Sequence, residues 1–338
     1  MARSAWARRI FLGAAFAIGV IAFIVLLDRL GREGIERVVT GTGIYFAVLA
    51  VIDVASVMCD AAAIHSFARP QRVPYRRVFV AQMSGLAINR LTPGNSIGEP
   101  VKVTMLVEHV PVPTAVSSII MFNLGTYTVA IATIVLGVPL ALLLIDVPGQ
   151  TQIVLWILTA GLVAVIVVLG WLAHRGALGT LVDLLRQLRL VSAARADGWR
   201  IKVADIDAQV RRIGARGVTF VVLSRVLNSI GTVIAMFAAG VPLTAPLVIA
   251  QLSIGILITW VSNVIPLGIG IADGTNYALF GVLGSTGTTG LVFTMLNRVR
   301  TVLLACIGLA IMLVANLLGV RARSPRPDRT GRARPPCR

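Results

Sequence analysis

Charge is what this chain most lacks: Asp, Glu, Lys and Arg make up only 13% of its 338 residues. A soluble chain of this length would need far more to cover its surface, so the water-soluble globular class is excluded. Acids are the scarcer sign, 14 against 31 Lys and Arg, which leaves a formal charge of +17. That excess would suit a nucleic-acid binder, but the basic residues stand in short blocks beside apolar runs. Such blocks follow the positive-inside pattern of membrane proteins. They also attract anionic inner-leaflet headgroups, at about 1 kcal/mol for each Lys or Arg near a charged surface. Cysteine is equally thin. Cys59 and Cys306 lie in apolar runs and Cys337 in the tail, with neither ligand spacing nor a disulfide framework. The three histidines, His65, His109 and His174, are scattered at the ends of apolar runs, so no metal site and no cofactor is expected.

What the chain has is hydrocarbon. It is 57% hydrophobic with a mean hydropathy of +0.89, and it holds several apolar stretches of about 20 residues, the length that spans a bilayer. The sequence therefore predicts an all-α polytopic membrane protein with about six full crossings and two broken or re-entrant helical hairpins. The first stretch, Ile10 to Leu27, ends in Asp28-Arg29 without a small-residue cleavage pattern and reads as a retained helix.

The breaks organise the rest. Residues 89–102, Asn-Arg-Leu-Thr-Pro-Gly-Asn-Ser-Ile-Gly-Glu-Pro-Val-Lys, interrupt a helix at Pro93-Gly94 and allow a restart at Glu99-Pro100, because proline suits a first helical turn and not an interior. Residues 263–274, Asn-Val-Ile-Pro-Leu-Gly-Ile-Gly-Ile-Ala-Asp-Gly, are a looser echo: Asn, then Pro, then two glycines, then an acid. Irregular backbone at membrane depth is tolerated only where protein or a water-filled cavity covers it. Paired breaks in two halves point to a transport site.

Taken in order, Arg3, Arg8 and Arg9 put the N-terminus in the cytoplasm, and loop 28–42 balances three arginines against three acids as an outer loop. A helix over about 43–64 carries Asp53 and Asp60 on one face, and the basic segment His65 to Arg77 returns the chain inside. Residues 78–110 are too short for two crossings and predict a hairpin opening on the cytoplasmic side. The chain then crosses outward from Thr114, with Pro139 as a kink or end, passes a loop at Asp146-Val-Pro-Gly, and crosses back over Gln152 to Ala173. Residues 174–216 form a cytoplasmic linker with two amphipathic stripes, suited to the inner leaflet or to packing on the protein itself. The second half holds a crossing at 217–240, an apolar run at about 245–262, the second break, a short run to Gly284 and a last helix from Leu291 to Leu318. Arginines from 321 to 338 mark a disordered basic cytoplasmic tail. With both termini inside, the second hairpin must open outward, and the halves would be inverted repeats.

Leu91-Thr-Pro-Gly followed by Gly98-Glu-Pro-Val-Lys resembles the "TPG…GEPVR" signature of the lysylphosphatidylglycerol synthase transmembrane region, the flippase-like domain family. Ile265-Pro-Leu-Gly-Ile-Gly-Ile-Ala-Asp-Gly is similar to that family's second motif, and Leu296-Asn-Arg298 to the start of its last helix. The likeness spans about residues 10–318. It implies a multi-pass protein of a bacterial-type inner membrane that moves a lipid between leaflets, without the aminoacyl-transfer domain that some members carry. Where many members have a Glu-Arg pair and an Asp after the first motif, this chain has Phe122-Asn123 and Thr126, and Asp273 replaces Glu in the second.

The candidate lipid-binding residues are Asn89, Arg90, Thr92, Pro93, Gly94, Gly98, Glu99 and Lys102. Arg90, Lys102 and the N–H groups of the helix restart would meet a headgroup phosphate; the alternative is an Arg90–Glu99 pair that holds the hairpin shut. Pro266, Gly268, Gly270, Asp273 and Arg298 form the second candidate group, suited to gating or to a structural ion pair. Asp53 and Arg225, both mid-helix, are expected to pair with each other. Three functions fit: a translocase for an anionic or aminoacylated phospholipid or lipid-linked sugar, a non-transporting partner of a lipid or cell-envelope synthesis system, or an enzyme acting on a lipid-linked sugar. Glu99 and Asp273 are too isolated to serve the last as an acid–base pair.

Overall fold

A computed structural model describes residues 40–92, 97–144, 215–262, 270–283 and 285–317, with scattered helical positions at 13–24 and 149–164. The loop 28–39, Pro93, Gly94, Pro266, Gly268, residues 174–214 and the tail lie outside the described residues, as does most of the segments Ile10–Leu27 and Gln152–Ala173. All described secondary structure is helical: α1 Ile44–Phe67, α2 Tyr75–Leu91, α3 Gly98–Leu106, α4 Val112–Leu144, α5 Ala215–Ala238, α6 Ala245–Ser262, α7 Ile271–Val282 and α8 Gly287–Leu317. Among them α1, α4, α5, α6 and α8 are long and apolar enough to cross a membrane. Outward faces carry bare hydrocarbon, as on Leu136 and Leu143 of α4 and Val51 of α1, which suits acyl chains and not water.

The eight helices form two matching sets. The first runs 24, 17, 9 and 33 residues (α1–α4) and the second 24, 18, 12 and 31 (α5–α8). Corresponding helices start 171, 170, 173 and 175 positions apart (44 to 215, 75 to 245, 98 to 271, 112 to 287). In each set a short broken pair precedes one long helix. At 1.5 Å per residue, nine residues of α3 reach about 14 Å and twelve of α7 about 18 Å, against a hydrocarbon core of roughly 30 Å.

The sets interlock by exchange. α2 packs on α8 and α6 on α4, while α1 and α5 form the most extensive contact among the described helices. That central pair is antiparallel: Tyr45 meets Phe237, Ser56 meets Asn228, Asp60 meets Ser224 and Phe67 meets Gly217. The close crossings repeat as well. A Cβ on Gly137 of α4 would fall 2.5 Å from the Ser253 Cβ of α6, and one on Gly308 of α8 would fall 2.6 Å from the Met83 carbonyl oxygen of α2. Gly308 stands 171 positions after Gly137, and Ser253 stands 170 after Met83. Small residues at these crossings let backbones approach where lipid offers no hydrophobic drive for helix pairing. Antiparallel counterparts with swapped hairpins are the geometry of an inverted repeat.

Two boundaries differ from the sequence reading. Of the two expectations for Pro139, a kink or an end, the end is excluded, since α4 continues through it to Leu144; proline removes one intrahelical hydrogen bond, and a long helix packed on α6 withstands that loss. The segment His65 to Arg77 is helical only at its two ends, since α1 runs to Phe67 and α2 begins at Tyr75, with residues 68–74 as the non-helical link.

Candidate headgroup cavity between the two halves

Asp53 sits midway along α1, Thr126 midway along α4, Arg225 near the middle of α5 and Arg300 near the middle of α8. These positions are near the bilayer midplane of helices that can span it, where ionisable side chains are rare and costly. All four line one cavity of about 400 Å³, which α2, α6 and α7 also help to wall.

Three ion pairs border it. Arg300 donates to both oxygens of Asp53, Nη2 to Oδ1 at 2.7 Å and Nε to Oδ2 at 3.1 Å. Arg225 donates to Asp60 Oδ1 at 3.1 Å, and the same oxygen accepts from Ser224 Oγ at 2.6 Å. Arg298 donates to Asp273 Oδ2 at 2.6 Å. The expected Asp53–Arg225 pair is thus corrected: each residue has a different partner. The antiparallel register is the reason. It sets Arg225 beside Asp60, whereas Asp53 lies level with Gly231. The missing side chain there leaves room for the Arg300 guanidinium of α8, whose Nη2 would stand 3.2 Å from a Gly231 Cβ.

Arg90 differs from the other three arginines. It lines the cavity from the last turn of α2 and is exposed into it. It lies within electrostatic reach of Asp53, Asp60, Arg225 and Arg300, yet it has no hydrogen-bond or carboxylate partner among the described residues. Among the described residues, four guanidiniums in or beside the cavity thus stand against three carboxylates, and the one without a partner is Arg90.

The first break is closed by other residues. Asn89 at the end of α2 accepts the Gly98 N–H at 2.5 Å and donates to Glu99 Oε1 at 2.9 Å. Lys102 Nζ donates to the same oxygen at 2.8 Å, and Asn123 Nδ2 of α4 to Glu99 Oε2 at 3.1 Å. Glu99 in the first turn of α3 suits the positive end of that helix. Lys102 is buried at 3% exposure, lies 5.5 Å from the Phe122 ring centroid, and runs its stem against Gly85.

Two sequence expectations are corrected here. Lys102 does not line the cavity, and the Gly98 N–H at the helix restart is already taken by Asn89. Glu99 pairs with Lys102 and not with Arg90, because three residues along a helix bring side chains together. Thr92 lines the cavity while its hydroxyl returns a hydrogen bond to the Ile88 carbonyl.

The second break repeats the plan with its charges exchanged. Asp273 accepts the Gly270 N–H at 3.0 Å, reaching back across the first turn of α7. Gly270 holds φ at 87°, a left-handed conformation that favours glycine. Asp273 stands 174 positions after Glu99, Arg298 175 after Asn123, and Asn276 174 after Lys102. In the first half the acid meets a cation three residues on and an amide 24 on. In the second the cation comes 25 residues on, and Asn276 bonds Thr294 instead. Phe122 and Asn123 thus have structural work: one underlies Lys102 and the other holds Glu99.

The family model of the lysylphosphatidylglycerol synthase TM region matches residues 10–308. The chain belongs to this family. No curated protein and no solved structure matches it. Membership in the lysylphosphatidylglycerol synthase TM family and five apolar spans make this a multi-pass membrane protein of lipid metabolism or transport.

Arg300, Asp60, Asn123, Gln251 and Asn276 were not among the candidates. Arg300 had a signal of its own, an arginine in the middle of an apolar helix. The amides had none, since a lone Asn or Gln in a helix does not reveal which side it faces.

Proposed function

We propose that the protein binds an anionic phosphate-bearing lipid and passes its headgroup between leaflets through the cavity between the two halves. The observation that carries this reading is Arg90, a guanidinium open to a polar cavity at membrane depth with no countercharge among the described residues. A phosphodiester supplies that charge, and arginine's planar fork matches its oxygens. The three neighbouring ion pairs keep the walls polar without adding further net charge. The inverted halves supply the motion, since rocking one set against the other would open the same site first to one leaflet and then to the other. In this reading both termini and the linker are cytoplasmic, and the basic loops rest on anionic inner-leaflet lipid. Asp273–Arg298 acts as a latch between α7 and α8.

The test is leaflet exchange of a fluorescent phospholipid in proteoliposomes, beside lipid retention on the purified protein. Arg90→Gln should lose both exchange and retained anionic lipid while eluting as a folded protein. Asp273→Asn should retain lipid and slow exchange. Wild-type lipid retention in Arg90→Gln would sink the proposal.

A further inference from the structure

We infer that the cavity selects a headgroup made of one phosphate and an uncharged, hydroxyl-bearing group, glycerol or a sugar, and rejects one that carries an ammonium. The inference rests on the lipid-site reading above and assigns the substrate class that reading leaves open.

Charge is the first argument. Asp53 is the one carboxylate on the described cavity wall, and Arg300 occupies both of its oxygens. Asp60 is held by Ser224, Arg225 and Gln82, and Asp273 by Arg298 and the Gly270 N–H. An incoming ammonium therefore finds no free carboxylate, and it meets the uncompensated positive charge of Arg90 in a poorly screened space. A lysylated phosphatidylglycerol carries two ammoniums and one phosphate, so it would add positive charge to a positive site. Phosphatidylglycerol would cancel it.

The neutral wall is the second argument. Thr126, Asn228, Gln251, Asn276 and Asn297 face the cavity from α4, α5, α6, α7 and α8. The Gln251 Oε1, Asn276 Oδ1 and Thr126 Oγ1 atoms are buried without a hydrogen-bond partner among the described residues. Gln251 and Asn276 are only 8% and 6% exposed. Buried polar atoms of native proteins nearly always have partners, and these three belong to residues that line the cavity. A hydroxyl group, which both donates and accepts, satisfies amides and threonine without bringing charge.

The test is native mass spectrometry of the full chain in detergent, titrated with defined lipids. The probes are phosphatidylglycerol, phosphatidylethanol (the same charge without hydroxyls), phosphatidylethanolamine, lysylphosphatidylglycerol and a polyprenyl-phosphate sugar. Phosphatidylglycerol or the sugar lipid should bind at least about tenfold tighter than either ammonium lipid, a difference of about 1.4 kcal/mol, and severalfold tighter than phosphatidylethanol. Whichever of the two binds tighter names the source of the hydroxyls. Gln251→Glu, which puts a free carboxylate on the wall at unchanged size, should raise the affinity for lysylphosphatidylglycerol relative to phosphatidylglycerol. If that variant fails gel filtration, the wild-type lipid series decides alone. Equal wild-type affinity for lysylphosphatidylglycerol and phosphatidylglycerol overturns the headgroup assignment, and the lipid-site reading survives if Arg90→Gln still abolishes both. Unchanged binding of every lipid by Arg90→Gln overturns both readings together.

Discussion

Replacing Asp53 with Asn removes the countercharge of a guanidinium that is only 10% exposed and bonded at 2.7 Å. Breaking a buried pair from one side leaves an unpaired charge and costs roughly 3–5 kcal/mol. Arg300 borders a cavity, so some water relieves it, and the low end of about 3 kcal/mol is the better figure. Arg90 acts the other way, since its positive charge lies within electrostatic reach of Arg300. Arg300→Gln strands Asp53 in the same manner and should cost a similar amount. The double variant removes both charges and should be milder than the sum of the singles, with a coupling energy of about 1–3 kcal/mol. Asp53→Asn combined with Arg225→Gln should instead be additive to within about 0.5 kcal/mol, because Arg225 bonds Asp60. Unfolding of the purified protein in mixed micelles of increasing SDS content measures the wild type, the three single variants and the two doubles. A coupling of Asp53 to Arg225 as large as that to Arg300 would refute the antiparallel register argument and the pairing drawn from it.

A Cβ on Gly98 would land on the Gly85 carbonyl oxygen and the Asn89 amide, so Gly98→Ala should destabilise the protein by about 1–3 kcal/mol through overpacking, visible as a lower melting temperature in detergent. Glu99→Gln should cost more than Lys102→Met: the first strands an ammonium at 3% exposure, whereas the second leaves a carboxylate at 26% exposure with two amide donors still in place. The reverse order in thermal melts would show that Lys102 is not held by Glu99. Single cysteines introduced at Arg200 and Arg329 in a cysteine-free background should react only with reagent supplied from the cytoplasmic side; labelling from outside at either position would defeat the proposed orientation.

Membrane class, helix content and the places where helices break were legible in the chain itself. Twenty consecutive apolar residues have one stable solution in hydrocarbon, and proline next to glycine ends a helix wherever the fold puts it. Glu99, Asp273 and Arg90 stood out for a related reason, as charges beside such breaks. Pairing is a different kind of property. Asp53 and Asp60 share a face of α1, but which arginine reaches which acid depends on the register of α1 against α5 and on the gap at Gly231. Arg300 lies 247 residues from Asp53, and nothing local links them. Lys102 and Arg90 look alike as basic residues flanking one break, yet one pairs with Glu99 of its own helix beside Phe122 of α4 and the other faces the cavity. Helix rotation decides that, and rotation is set by close contacts such as Gly85 with Gly98 and Gly308 with Met83. Those contacts join residues from separate helices, so hydropathy determines where each helix lies along the chain, and only packing determines which of its faces meets a partner.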